Sequence, residues 1–160
     1  MARHYITQAT HDRIAAEFFD LTTRGRHEVA DKIERAREMG DLKENGDYHA
    51  AKDEQGHMEG RIRQLEDILE DHEILPPGVE GVVSSGSIVT FLYEGDDESD
   101  AETYLIGHVE EKPDTKDVSV MSPSSPLGSA LLGAKEGDMV SYEAPNGTLK
   151  VKVLSTKSQK

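Results

Sequence analysis

Between residues 14 and 72 the apolar positions fall on two ladders that mirror each other. In the second, Tyr48, Ala51, Gln55, Met58, Ile62, Leu65, Leu69 and His72 step alternately by three and four. That is the seam of a coiled-coil helix, polar only at Gln55 and His72. In the first, Ile14, Phe18, Leu21, Gly25, Val29, Ile33 and Ala36 are again three or four apart. Opposite members have residue numbers that add to a nearly constant total: 87 for Ala36 with Ala51, 88 for Ile33 with Gln55, 87 for Val29 with Met58, 86 for Leu21 with Leu65 and 87 for Phe18 with Leu69. Two independent helices have no reason to keep such a total. One antiparallel hairpin, folded back near residue 43, must keep it.

The local signals agree. From about Thr10 to His72 there is no proline, and the residues are mostly helix formers. The turn is Gly40-Asp41-Leu42-Lys43-Glu44-Asn45-Gly46, where Gly40 suits the left-handed cap of the first helix and Asn45 or Gly46 can start the second. Arms of about 29 residues at 1.5 Å each give a hairpin of roughly 40–45 Å. At Pro76-Pro77-Gly78 the helical pattern must stop. Afterwards Ser87–Tyr93, Thr103–Val109, Val118–Met121, Met139–Tyr142 and Leu149–Leu154 read as strands, with a hairpin signal at Asn146-Gly147 and one short helix at about Leu127–Ala134. The expected fold is α+β: a helical hairpin over 1–75, a Pro-rich hinge at 76–78, and an α+β domain over 79–157.

Charge narrows the function. With 18 Lys and Arg against 32 Asp and Glu the net charge is −14, split evenly as −7 over residues 1–75 and −7 over 76–160. Duplex binding through phosphates needs a broad basic face, so autonomous tight duplex DNA binding is not expected. The absence of cysteine excludes disulfides, zinc thiolates, iron–sulfur clusters and thiol catalysis. No signal-like or membrane-spanning apolar run is present, so a cytoplasmic protein with no membrane partner is expected. The two seams cover each other, which makes a monomer the expectation.

A hairpin longer than stability demands is either a spacer or dimerising element, or a device that delivers its tip somewhere narrow. Asp41 and Glu44 lie three apart in the turn, with only Lys43 nearby to offset them. Paired carboxylates are hard-oxygen ligands for Mg²⁺, but two alone hold it weakly. Such a tip would act only where a partner completes the coordination.

The stretch Gly40-Asp41-Leu42-Lys43-Glu44-Asn45-Gly46-Asp47-Tyr48-His49-Ala50-Ala51-Lys52, followed by Gln55-Gly56 and Glu59-Gly60-Arg61-Ile62, resembles the signature of the bacterial Gre transcript-cleavage factors. The string Ser122-Pro123-Ser124-Ser125-Pro126-Leu127-Gly128-Ser129-Ala130-Leu131-Leu132-Gly133, with Gly137-Asp138 beyond it, supports the resemblance independently, and the likeness runs from about Ile6 to Val153. It implies an antiparallel coiled coil followed by an FKBP-like domain that docks at the rim of the secondary channel of bacterial RNA polymerase. The tip would then reach the active centre, and the factor would stimulate the polymerase's own cleavage of the RNA 3′ end in backtracked complexes. The resemblance casts Asp41 and Glu44 as the residues that hold a second Mg²⁺, shared with the polymerase and not bound tightly by the isolated protein. Asn45 and Tyr48 would support the tip, with packing beneath the turn an equal reading for Tyr48. Arg37 and Lys52 match the family's basic patch and would meet RNA, or are ordinary solvated charges. The docking segment would be Ser122, Pro123, Pro126, Leu127 and Gly128. The protein itself would be a cofactor of the polymerase's site, with no turnover alone.

The alternative from another class keeps the fold and the docking but blocks the channel and inhibits transcription without cleavage. The acidic run from Glu94 to Glu102 is expected to be a solvated turn, since Ala101 stands where a calcium loop needs Gly. The seven histidines are expected at the surface, and His49 and His57 are eight apart, which is not a zinc spacing. Prolyl isomerase activity is not expected, because fold does not carry function and the second half has only Phe91, Tyr93, Tyr104 and Tyr142 as aromatics. Gly25 on the first seam costs about 1 kcal/mol relative to Ala, so the first arm is expected to bend or repack there.

Overall fold

The computed structural model describes residues 3–40 and 45–158, in two compact units. The first unit comprises His11–His72 together with Arg3, and the second joins His4–Thr10 to the chain from Glu73 onward.

The first unit is a helical hairpin. Its outgoing arm is α1 (Gln8–Asp20), a π-helical turn over Leu21–Gly25, and α2 (Arg26–Glu38); α3 (Gly46–Glu70) returns. The 25 residues of α3 span about 37 Å. Ile14, Val29 and Ala36 are buried from one arm, and Ala51, Ile62, Leu65 and Ile68 from the other. The expected seam position Leu69 is only half-buried.

The π turn has its cause in the ladders. Leu21, Gly25, Val29 and Ile33 run four, four, four, where strict alternation would contain a three, and the facing ladder has no such excess. One arm therefore carries one residue too many. A π turn absorbs a single extra residue while keeping the apolar stripe on both sides of it facing the partner helix. The hydroxyl of Thr22 donates to Phe18 O at 2.8 Å and that of Thr23 to Phe19 O at 2.6 Å, so side chains occupy carbonyls that the widened turn leaves. Gly25 sits within it, where a Cβ would stand 3.1 Å from Met58 Sδ. The first arm does repack at Gly25, and contacts between the arms no longer keep the constant total. Lys32 with Glu54 (3.0 Å) gives 86 and Arg26 with Glu59 (3.0 Å) gives 85. The total falls to 83 for Gly25 with Met58 and for His11 with His72, and to 78 for the Glu17–Arg61 ion pair.

The second unit is built on a mixed five-stranded sheet of order β5-β4-β3-β7-β6. Its strands are β3 (Ser87–Tyr93), β4 (Glu102–Ile106), β5 (Ser119–Met121), β6 (Met139–Ala144) and β7 (Gly147–Ser158). All neighbours are antiparallel except β4 and β5. Helix α4 (Pro126–Leu131) buries Leu127 and Leu131 against Val89, Phe91, Ile106, Val151 and Val153. A bulge at Leu154, between the pairs Thr90–Ser155 and Phe91–Val153, shifts the alternation of β7 by one. The four aromatics scattered in the sequence meet here. Phe91 stacks on Tyr104 at 5.8 Å and meets Tyr93 edge-on at 5.9 Å, and the Tyr93 and Tyr142 hydroxyls lie 3.0 Å apart.

Two expected details are corrected. The last hairpin pairs Ala144 with Gly147, so Pro145 and Asn146 occupy the turn centre and Gly147 follows at φ +129°. No described non-glycine residue has positive φ, which excludes the turn form with Asn-Gly at its centre. The strand expected over Thr103–Val109 ends at Ile106, because Gly107 N donates to Met121 O and the chain then turns, Glu111 N to His108 O at 2.9 Å. The boundary expected at residue 75 also differs from the contact-defined one. Strand β1 (His4–Ile6) pairs with β2 (His72–Ile74), Leu75 N donates to Ile6 O at 2.8 Å, and His4–Thr10 groups with the sheet-bearing unit. Among the described residues, no helix is long and apolar enough to cross a membrane.

Candidate functional site

Asp41 and Glu44, with Leu42 and Lys43 between them, lie outside the described residues. The structure gives what holds the ends of that segment. On the outgoing side α2 closes at Met39, whose N–H donates to Ala36 O at 3.1 Å, and Gly40 follows at φ +129°, a conformation side chains rarely adopt. On the return side Asn45 caps α3: its Oδ1 accepts from Tyr48 N at 3.0 Å. The same amide reaches across, its Nδ2 donating to Ala36 O at 2.5 Å.

One side chain therefore satisfies a carbonyl at the end of one helix and an amide at the start of the other. The support role expected of Asn45 has this concrete form. Asp caps equally well, but its ionised carboxylate carries no donor to bridge the arms. Asn45→Asp is expected to keep the cap and lose the bridge, and Asn45→Ala to lose both. The expected costs in hairpin stability are about 1 and about 2 kcal/mol, read by thermal denaturation. Tyr48 is half-buried beside His49 (ring centroids 5.7 Å), at the seam's first position.

The expected basic patch is exposed on both members. Arg37 lies in the last turn of α2, and Lys52 Nζ donates to Gln55 Oε1 at 3.0 Å. A cavity of about 300 Å³ opens beside the loop, lined by Lys32, Arg35, Met39, Asp47, Ala50 and Glu54 among others, and neither Arg37 nor Lys52 lines it. By helical phase those two lie on the other side of the hairpin. Among the described residues no group of three or more His, Asp or Glu side chains is placed to hold a metal. The donors that suit Mg²⁺ are the two carboxylates of the loop, right in kind and too few to hold it alone.

The segment expected to dock is a self-braced turn. Ser125 Oγ accepts from Gly128 N at 3.1 Å as the cap of α4 and donates to Ser122 O at 2.7 Å, which also accepts from Ser125 N at 3.1 Å. Pro126 occupies the first helical turn, where a missing N–H costs nothing. Leu127 enters the core, and Gly128 lies against the Ser122 carbonyl so closely that a Cβ would stand 2.2 Å from its oxygen. Ser122 and Ser124 keep exposed hydroxyls 2.8 Å apart. Ser122, Ser125, Pro126, Leu127 and Gly128 thus each have a local structural reason.

Two features escaped the sequence reading. Glu111, a buried carboxylate in no motif, accepts from Thr7 N (2.9 Å), Thr7 Oγ1 (2.9 Å) and Thr10 Oγ1 (2.8 Å). The histidines are not all surface residues either. His4 meets His108 at 2.8 Å between ring nitrogens in the second unit, and His11 lies against His72 at 4.9 Å in the first. No local spacing announces these contacts, since His4 and His108 are 104 residues apart.

Comparison with known proteins covers both units. A family described as transcription elongation factor, N-terminal, matches residues 4–74, and one described as transcription elongation factor, GreA/GreB, C-terminal, matches residues 78–158. The chain is 48% identical over 153 residues to transcription elongation factor GreA of Rhodococcus erythropolis, covering 94% of this chain and 92% of that one. It is 46% identical over 153 residues to the GreA of Mycobacterium tuberculosis, with the same two coverages. Among solved structures it is similar to the GreA factor homolog Gfh1 of Thermus thermophilus, at 26% identity and a TM-score of 0.45, covering 98% of this chain and 100% of that one.

Proposed function

From the premise that the chain belongs to the GreA/GreB family of transcription elongation factors, we propose that it enters the secondary channel of bacterial RNA polymerase and stimulates the polymerase's own cleavage of the RNA 3′ end in backtracked complexes. The observation that carries this reading is the Asn45 bridge. It fixes the ends of the two arms to each other at the point where the Asp41–Glu44 segment leaves and returns. A segment that must present charges to another protein's active centre needs such a rigid mount, because each misplaced ångström weakens electrostatic catalysis.

In this reading Asp41 and Glu44 would hold Mg²⁺ jointly with the polymerase, and that ion when bound supplies an activated water in two-metal phosphodiester hydrolysis. The chain has no turnover of its own. Asn45 holds the return of the segment, and Tyr48 packs under it. Arg37 and Lys52 place positive charge beside the RNA backbone, where the net charge of −14 would otherwise repel it. Ser122, Pro123 and Pro126 are the polymerase-facing part of the braced turn in the second unit, and the buried Leu127 and Gly128, expected to dock, instead hold that turn from beneath. The protein acts as a cytoplasmic monomer and does not bind duplex DNA tightly by itself.

The test uses a backtracked complex of bacterial RNA polymerase with end-labelled RNA and Mg²⁺. Rapid shortening of the RNA on addition of the protein is the expected result. Binding without shortening would replace the proposal by a channel-blocking inhibitor, and no binding would remove both.

A further inference from the structure

Strand β1 is tied to the loop after β4 by two imidazoles. His4 Nδ1 lies 2.8 Å from His108 Nε2, with the rings edge-to-face at a centroid distance of 5.0 Å and an angle of 60°. On its other side, His108 Nδ1 accepts the backbone N–H of Glu110 at 3.0 Å. A ring nitrogen that accepts an N–H carries no proton itself. The His108 proton therefore sits on Nε2 and points at His4 Nδ1, which must be bare as well. This directional chain, from Glu110 through His108 to His4, exists only while both rings are neutral. A proton added to His108 Nδ1 opposes the Glu110 N–H, and one added to His4 Nδ1 opposes the His108 N–H.

We propose that the His4–His108 pair is a proton-operated latch, which ties the N-terminal strand to the sheet-bearing unit at neutral pH and loosens as the pH falls. The charged groups that face it are Glu110 and Glu111 of its own loop and His4 from β1. The two carboxylates favour the imidazolium. Burial, and after it the neighbouring His4, outweigh them and hold the His108 imidazole below its ordinary 6.5. The sign follows from linkage. The folded state binds fewer protons at His108 than the unfolded state, so its contribution to stability is fully present above pH 6.5 and is lost as pH falls below that. The bonds from Thr7 and Thr10 to Glu111 and from Leu75 to Ile6 do not depend on imidazole charge. The latch therefore grades the hold on His4–Thr10 without unfolding the sheet.

The test is made on the full chain, labelled with ¹⁵N. At pH 7.5 the ring nitrogen shifts of His108 are expected to report the Nε2–H form. Between pH 7.5 and 5.5, corrected amide exchange at His4–Thr10 is expected to accelerate, reaching about tenfold per pH unit for each proton taken up, while β3 and β7 keep their protection. The double variant His4→Phe/His108→Phe keeps an edge-to-face ring contact without titratable nitrogens, and is expected to lose the pH dependence. An Nδ1–H form of His108 overturns the proposal, as does equal protection at both pH values in the wild type. A Phe variant that retains the wild-type pH response overturns it too. If that variant does not fold, the tautomer and the wild-type exchange rates decide between these outcomes.

Discussion

The double variant Asp41→Asn/Glu44→Gln is expected to slow RNA cleavage in a backtracked polymerase complex by about 100-fold or more, while its affinity for polymerase and its melting temperature stay those of the wild type. Both substitutions keep shape and remove charge. A neutral amide offers a divalent cation one weak carbonyl oxygen in place of an anionic pair, so the loss falls on the jointly held ion and not on docking. Each single variant is expected to lose about 10-fold or more, since one remaining carboxylate is a poor ligand by itself. Raising Mg²⁺ should recover part of the activity of the single variants and none of the double. The measurement is the rate of shortening of end-labelled RNA at saturating protein, with Kd for polymerase measured in parallel. Wild-type rates in the double variant would remove the carboxylates from the mechanism. Weaker binding with an unchanged rate at saturation would make them docking residues.

Gly128→Ala is expected to destabilise the second unit by about 3 kcal/mol, lowering its melting temperature by roughly 10 °C or more. Gly128 is not held in the left-handed region, so the argument rests on space alone. The new methyl would stand 2.2 Å from Ser122 O and 2.8 Å from Ser125 Oγ. The Ser122 carbonyl cannot yield cheaply, because it accepts both the Ser125 amide and the Ser125 hydroxyl. Relief therefore pulls apart the cap of α4, worth about 1 kcal/mol, and withdraws Leu127 and Leu131 from the core. Polymerase affinity should fall with it if this turn docks. Ser124→Ala, which changes only an exposed hydroxyl, is the control and should stay within about 0.5 kcal/mol of wild type. An unchanged melting temperature for Gly128→Ala would mean that the turn relaxes far more freely than its hydrogen bonds imply.

Much of the architecture was legible before any coordinates because its causes are periodic or local. The antiparallel hairpin follows from two ladders with a shared total, and β3 over Ser87–Tyr93 from a β-branched and aromatic run bounded by Gly and Glu. The π turn was half-legible. The four-four-four spacing around Gly25 marks one surplus residue, but the spacing alone does not choose among a bend, a bulge and a slipped register. For the candidate site, the sequence pointed to the carboxylates Asp41 and Glu44, while the two-armed role of Asn45 emerged only where Ala36 O was placed beside it.

By itself, then, the sequence determined the α+β class, the helical hairpin, and the residues most worth testing. Each of these is encoded in composition or in spacings of a few residues, which act along the chain without a tertiary partner. Only the tertiary structure decided that His4–Thr10 belongs with the sheet-bearing unit, that Glu111 is buried under Thr7 and Thr10, and that His4 and His108 meet through their ring nitrogens. The physical reason is the same in all three. A buried carboxylate and a pair of half-buried imidazoles are stable only when partners about a hundred residues away complete their hydrogen bonds, and no periodicity records a partner at that distance.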